Sequence, residues 1–480
     1  MAQARKTKRL KSFCRSLVWS AGCVAVLAAQ PIKAETLADA LVGAYKTSGL
    51  LDQNRALLRA ADEDVAAAVA ALRPILNYSA DLTREFGDRR SLTTTGVSSV
   101  NDLESTTGTI GLAASLLLYD GGATSLGVDA AKETVLGTRQ QLISLEQTVL
   151  LRAVSAYLNV VAAREFVSLR QNNLRLLTQE LRAAQDRFEV GEVTRTDVAQ
   201  AESSLAEARS GLATAQGDLL QAVEEYRSVV GNTPGQLSPP PTLPRLETNV
   251  ETARARAVLS HPDLRAAQHF VAVAELNILR AKASLSPSVS AVGSLGVSEN
   301  FGNSNYTRSG SIGIELSGPI YQGGGLSAGI RSAIASRDSQ RGNLIEVRKQ
   351  VAQNVGNAYA SLAAQRASLQ ASEERIRAAR IAFEGVREEA TLGARTTLDV
   401  LDAEQELLDA ETSRISAQAN LYVAAYTVLQ ATGRLTAKDL SLGVQQYDPS
   451  AYYDLVKDAP VPSSAQGQKL DRVLRALQKD

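Results

Sequence analysis

Asp399 and Asp402, two carboxylates three residues apart, are the most chemically suggestive pair in this 480-residue chain. That spacing puts both on one face of a helix. Copies of the chain arranged around an axis would gather them into a negative ring. Such a ring repels anions, raises its own pKa values and binds cations. Asp399 has a competing duty. Thr396-x-x-Asp399 has the spacing of a capping box, as does Thr194-x-x-Asp197, and an acid there also suits the helix dipole. Asp402 has no such second role. Arg395, just before the box, reads on its own as a solvated charge at a helix start.

Enzyme chemistry finds little support. His261 precedes Pro262 at a helix start, and His269 lies about two helical turns further on. Two histidines without cysteine make no metal cluster. No nucleophile elbow or zincin motif occurs. The residues therefore predict neither catalysis nor a metal or cofactor, and give both histidines capping or surface roles.

The elements that position the acids come in two copies. A shift of 202 residues brings one half of the chain onto the other without a gap over more than a hundred residues. Tyr119, Gly121 and Gly122 meet Tyr321, Gly323 and Gly324. Gly191, Thr194, Asp197 and Glu202 meet Gly393, Thr396, Asp399 and Glu404, and Gly231 meets Gly433. A constant offset through turns and helices marks a tandem structural repeat.

Residues 1–34 read as a signal peptide. A basic stretch from Arg5 to Arg15 precedes an apolar run at 17–29, too short to span a bilayer, and Ala34 ends a plausible cleavage site. Cys23 has a weak lipoprotein-like context, with Ser20 where leucine is usual. Cleavage after Ala34 removes both cysteines, so no disulfide is expected in an exported mature chain. It also removes seven of the 51 basic residues and no acid, leaving 44 against 51 and a net charge of −7. That balance argues against a nucleic-acid partner.

Each copy opens with period-2 alternation. Leu76, Tyr78, Ala80 and Leu82 alternate with polar residues, as do Ile110, Leu112, Ala114, Leu116 and Leu118 with small ones, and residues 84–107 between them read as a polar loop. Val289 to Val297 and Ile312 to Leu316 repeat the pattern. The hairpins, about 75–119 and 288–321, have strands near the ~10 residues of a transmembrane β-strand. A soluble hairpin with one face on a core fits the same alternation. The strand-to-helix hinges carry Gly121-Gly122 and Gly323-Gly324, which permit a sharp change of direction. No P-loop or dinucleotide fingerprint surrounds them.

Proline-free helices follow at 123–190 and 325–392, each of 68 residues and able to reach ~100 Å. Gly191 and Gly393 break them. The restarted helices carry a heptad seam: Val198, Ala201, Leu205, Ala208 and onward, matched by Val400, Ala403, Leu407 and Ala410 with Arg414 interrupting. Helices at 36–73 and 251–285 complete two ribbons. The organisation is then 35–233 as first repeat, 234–250 as a proline-rich linker, 251–433 as second repeat and 434–480 as a partly disordered tail, irregular at 448–468 with a short helix at 469–478.

No stretch after the leader is long and apolar enough for a membrane helix, so a membrane role requires a closed barrel. Four strands cannot close one; about eight are the minimum, and twelve from three chains leave room for a passage. The fold class is therefore mainly α with a membrane β-barrel part, and the expected assembly a homotrimer in membrane lipid.

The two-copy plan, the Tyr-Asp/Gln-Gly-Gly hinges, and the segments Arg187-Phe188-Glu189-Val190-Gly191 and 393–403 (GARTTLDVLDA) resemble the TolC family of outer-membrane efflux and secretion ducts. The resemblance spans about residues 35–442. It implies a trimer with a twelve-stranded barrel in the outer-membrane lipid and a periplasmic α-helical tunnel. It further implies passive export of small molecules or proteins, as the duct of a tripartite efflux pump or type I secretion system. The implied partners are a periplasmic adaptor (membrane fusion) protein and an inner-membrane transporter. The Gly191 and Gly393 turns become the periplasmic tip. Asp399 and Asp402 fall on the family's constriction positions, with Asp197 in the matching turn, and Arg395 on a residue that latches the closed tip. Two latch positions depart: the family's tyrosine is Ala390 here, and its acidic partner is replaced by Arg182. Asp186, Glu189 and Glu192 become the candidate partners of Arg395. The alternative from another class is an exported coiled-coil stalk without a pore.

Overall fold

The computed structural model describes residues 34–92, 96, 98–302 and 305–477. The leader, apart from Ala34, lies outside them. Four strands and ten helices are described: α1 (Leu37–Thr47), α2 (Gly49–Ala70), β1 (Ile75–Leu92), β2 (Ser98–Tyr119), α3 (Ala123–Glu189), α4 (Arg195–Val230), α5 (Val250–Ser260), α6 (Pro262–Ala283), β3 (Ser288–Asn300), β4 (Asn305–Ser317), α7 (Gly325–Thr391), α8 (Thr397–Ala431), α9 (Pro449–Val456) and α10 (Ala465–Leu477).

Both long helices run 67 residues. They begin where left-handed glycines turn the chain out of the sheet: Gly121 and Gly122 at φ 67° and 84°, Gly323 and Gly324 at 59° and 86°. α4 and α8 fold back along the lower halves of α3 and α7. Their heptad positions Ala201, Leu205, Ala208, Val400 and Ala410 are buried, as the 3.5-residue period requires. Arg414, which interrupts the second seam, reaches across to Glu165 of α3 at 3.7 Å. Upward of the midpoint, α2 and α6 take over beside the long helices.

The four strands form one antiparallel sheet in the order β1-β2-β3-β4, so the two repeats share a single wall. Its register decides what each face carries. Leu76 pairs with Ala114, which pairs with Gly293 and then Ile312; Tyr78, Leu112, Leu295 and Gly310 form the next row. One face is thus apolar over these rows, and charge enters it at Arg308 and Glu299, in the next two rows toward the hairpin tips. The other carries Asn77, Ala113, Ser294 and Ser311 in one row, with the two serine hydroxyls 2.8 Å apart.

Five expectations are corrected. Residues 84–107 are not a loop: β1 and β2 have 18 and 22 residues and pair from Ile75↔Ser115 to Leu92↔Ser98. Each strand of this ribbon satisfies the other's backbone, and Thr83↔Thr107 and Arg84↔Thr106 suit a pleated surface. The helix at 36–73 is two helices, because Ser48 adopts an extended conformation and caps α2. The helix at 251–285 also divides, at His261, whose extended backbone is what a residue preceding proline prefers. The span 448–468 is not wholly irregular: α9 buries Tyr452 and Val456 against Ala66 of α2 and Leu470 of α10. α10 also starts earlier than residue 469.

The largest core sits at mid-height, around Leu37, Leu58, Leu150, Tyr157, Tyr226 and Leu435. Glu35 is pinned there. Its carbonyl accepts from Tyr157 Oη at 3.1 Å, and its carboxylate accepts from Tyr226 Oη at 2.6 Å. Tyr157 Oη also donates to Ser238 O of the linker at 2.6 Å. In the second repeat Tyr359 Oη donates to Glu247 O at 2.8 Å. The proline-rich linker is therefore held against the core.

Candidate functional site

Two glycine turns close the lower ends of the ribbons, with Gly191 at φ 82° and Gly393 at 77°. Each is followed by a complete capping box. Asp197 Oδ2 accepts from Thr194 N at 2.8 Å, and Asp399 Oδ2 accepts from Thr396 N at 2.9 Å and Thr396 Oγ1 at 2.8 Å. These bonds hold the Asp399 carboxyl below its ordinary pKa. In the protomer Asp399 is thus shifted opposite to the sense expected of a crowded ring. Asp402, one turn along α8, is exposed and makes no hydrogen bond or ion pair among the described residues.

Arg395 does not pair with Asp186, Glu189 or Glu192. Its Nε donates to Glu389 Oε2 at 2.8 Å, across its own turn, and this bond with the Glu389 charge raises its pKa. Ala390 is buried with Phe383 and Val400, while Arg182 is exposed.

Other residues join the two hairpins. Arg387 of α7 lies 3.5 Å from Glu180 of α3. Both line a groove of about 230 Å³ together with Arg187, Ala390 and Val400. Slightly higher, Asn173 Nδ2 of α3 donates to Glu404 Oε1 of α8 at 2.6 Å. Glu404 is 4% exposed, and burial pushes its carboxyl up to about 7. Sequence reasoning passed over this contact. Glu404 was visible only as the repeat mate of Glu202, and nothing in Asn173 marked it as a partner.

The histidines are structural. His261 Nδ1 accepts from Asp263 N at 3.3 Å, capping α6, and His269 Nδ1 lies 2.7 Å from Glu133 Oε2 of α3. No group of three or more potential ligands among the described residues could hold a metal. No helix among them is long and apolar enough to cross a membrane.

Comparison with known proteins decides the identity of the fold. Residues 44–232 and 253–434 match the outer membrane efflux protein family, one stretch for each repeat. The chain belongs to that family. The outer membrane efflux protein BepC of Brucella suis is 37% identical over 449 residues, covering 93% of this chain and 96% of BepC. The outer membrane protein TolC of Escherichia coli K12 is 25% identical over 319 residues, 62% of this chain and 63% of TolC. In fold, the CmeC outer membrane channel of Campylobacter jejuni superposes with a TM-score of 0.72 at 17% identity, covering 89% of this chain and 90% of CmeC.

The chain is thus an outer-membrane efflux channel of the TolC family, built as two repeats with a barrel part and a long helical tunnel. Members of this family form trimeric channels that work with adaptors and inner-membrane transporters. A poreless stalk has no support.

Proposed function

We propose that three copies of this chain close a twelve-stranded barrel and continue it as a periplasmic tunnel. The assembly is a passive duct, fed by an inner-membrane transporter through a periplasmic adaptor. It performs no catalysis of its own. One observation carries the reading. The sheet has an exposed apolar band on one face, through Leu76, Tyr78, Leu112, Leu295 and Ile312, and two edge strands, β1 and β4, with no further strand beside them among the described residues. Ile312 is 96% exposed and Tyr78 85% in the protomer. Lipid tolerates such a face only if neighbouring copies satisfy the edges.

At the other end, Asp399 and Asp402 from three chains supply the negative constriction, with Arg395 fixing the turn beside it and Asp197 capping the outer tip. Asp402 is the better cation ligand of the two, because Asp399 already spends one oxygen on its cap. The purified trimer should require detergent and conduct ions in planar bilayers. Divalent cations added to the tip side should block that conductance. Asp402→Ala should relieve most of the block, and Asp399→Ala combined with it the remainder. Block that survives both substitutions would refute the constriction assignment while leaving the duct intact.

A further inference from the structure

We infer that a cavity at mid-height, between α3, α6, α7 and α8, binds a small hydroxyl-rich solute carrying an ammonium group, the chemistry of an amino sugar. Its place on the inner side of a tunnel rests on the trimeric duct. The cavity itself lies within one protomer.

Its volume is about 470 Å³. That falls within the range of about 300–1,000 Å³ usual for small-molecule sites. It sits where α6 begins and α8 ends, between the two long helices. The floor is buried: Gln147 of α3, His261 ahead of α6 and Ala358 of α7. The rim is exposed: Thr148, Asn354, Asn357, Ser361 and Asp263.

Gln147 is the informative residue. Its side chain is 1% exposed, yet its Nε2 has no hydrogen-bond partner among the described residues. A buried donor left unmet is costly, and a ligand oxygen in the cavity meets it. The repeat mates of Asn354 and Thr427 are Arg152 and Glu225, which pair at 2.9 Å. An ion pair thus occupies that place in the first repeat, whereas the second keeps neutral side chains around open space.

The lining selects the ligand by exclusion. Asp263 is the one ionised residue that lines the cavity. His261 stays neutral because burial lowers its pKa, and its Nδ1 accepts from Asp263 N at 3.3 Å. No Lys or Arg lines the site, so an anion meets only the carboxylate. No Phe, Tyr or Trp lines it, so a flat apolar molecule has nothing to stack on. A bare metal ion lacks a three-ligand cluster among the described residues. What remains is a solute that donates N–H bonds from an ammonium to Asp263 and exchanges hydroxyl hydrogen bonds with the amides.

The cavity also has a side. Asn354, Asn357 and Ser361 lie on the face of α7 opposite Tyr359, whose hydroxyl holds the linker. A closed cylinder has room for the linker layer only outside, so the cavity faces the lumen, once per chain.

Saturation-transfer NMR titration of the full-length trimer in detergent tests this, with glucosamine, glucose and gluconate as probes. Glucosamine should bind saturably, glucose about tenfold more weakly and gluconate not at all. Asp263→Asn should erase the preference for glucosamine over glucose. Gln147→Leu should weaken both sugars about tenfold while the thermal midpoint holds or rises, because the unmet amide is gone. A packing role for Gln147 predicts the reverse, a lower midpoint with binding intact, and that result overturns the site. So does the absence of saturable glucosamine binding, or a preference that survives Asp263→Asn. Should Gln147→Leu fail to assemble, Asn357→Ala on the exposed rim decides: unchanged binding of both sugars overturns the proposal. The titration reads binding whether or not the trimer conducts, so failure of the duct shows in bilayers alone.

Discussion

At position 202 of the first repeat and position 404 of the second, glutamate stands on the same turn of equivalent helices. Glu202 is exposed and Glu404 is buried. The backbones match; what differs is the neighbour. α8 lies against α3 of the other repeat, whereas α4 sits at the rim of the protomer. The same divergence runs down to the tips. Both carry a glycine turn and a complete capping box, but Asp402 corresponds to Gln200 and Arg395 to Val193. The two copies share one frame, but the acid and the arginine at these positions occur only in the second. A repeat can thus keep the residues that shape its backbone while its two copies diverge wherever their surroundings differ.

The hinges should separate the copies most sharply. A Cβ on Gly121 would lie 2.7 Å from Ser286 Cβ and 3.0 Å from Ala283 O, whereas nothing lies within 4 Å of one on Gly323. Both glycines are left-handed, which costs other residues about 1–2 kcal/mol. Gly121→Ala adds overpacking of about 1–3 kcal/mol. Thermal unfolding of the trimer should therefore show Gly121→Ala as clearly the worse of the two. Equal losses would mean that a neighbouring chain packs against Gly323.

Much of this plan was legible beforehand. The 202-residue offset, the glycine hinges and the heptad seams are local patterns, and each predicts geometry without reference to distant residues. The errors fell where the deciding partner is remote or subtle. Residues 84–107 looked like a loop because their polarity is that of solvent-exposed chain. They are a ribbon because β1 and β2 satisfy each other's backbone. The break at Ser48 has no proline, and Gly49 beside it is the first residue of α2 rather than part of a left-handed turn. The tail's α9 is stabilised by α2, nearly four hundred residues earlier. At the tip, the capping roles of Asp197 and Asp399 could be read from spacing. The Glu389 partner of Arg395 and the Asn173 partner of Glu404 could not, because side-chain pairing depends on which helix faces fold together.

The mid-height tyrosines offer a second contrast. Tyr157 is fully buried and its hydroxyl donates to two carbonyls, Glu35 O and Ser238 O. Its mate Tyr359 is half-buried and serves one, Glu247 O. Tyr157→Phe leaves Ser238 O without that donor inside the core and should destabilise the protein by about 1–3 kcal/mol. Tyr359→Phe should cost about 0.5–1.5 kcal/mol. Denaturant melts of the two variants check the order. If Tyr359→Phe proved the larger loss, the linker's hold on the second repeat would outrank that of Glu35 on the first.

The smallest effect is expected at the tip itself. Replacing Arg395 with valine gives the second turn the residue of the first. The Arg395–Glu389 pair is about half exposed on both sides, so it is screened by solvent and adds little to global stability. The thermal midpoint of Arg395→Val should therefore match that of the wild type. Its local consequence is different. Glu389 ends α7 and Arg395 precedes α8, so their contact closes the Gly393 turn like a clasp. The first turn, with Val193 in that place, has no such clasp among the described residues and is held by its glycine, its backbone bonds from Gly191 N to Phe188 O and Glu192 N to Arg187 O, and its capping box. Hydrogen exchange at residues 393–397 should then rise toward that of 191–195 in the variant, with the rest of the chain unchanged. If exchange at the second turn stays slow without Arg395, the glycine and Thr396–Asp399 box suffice, and the guanidinium is free to act on a neighbouring chain.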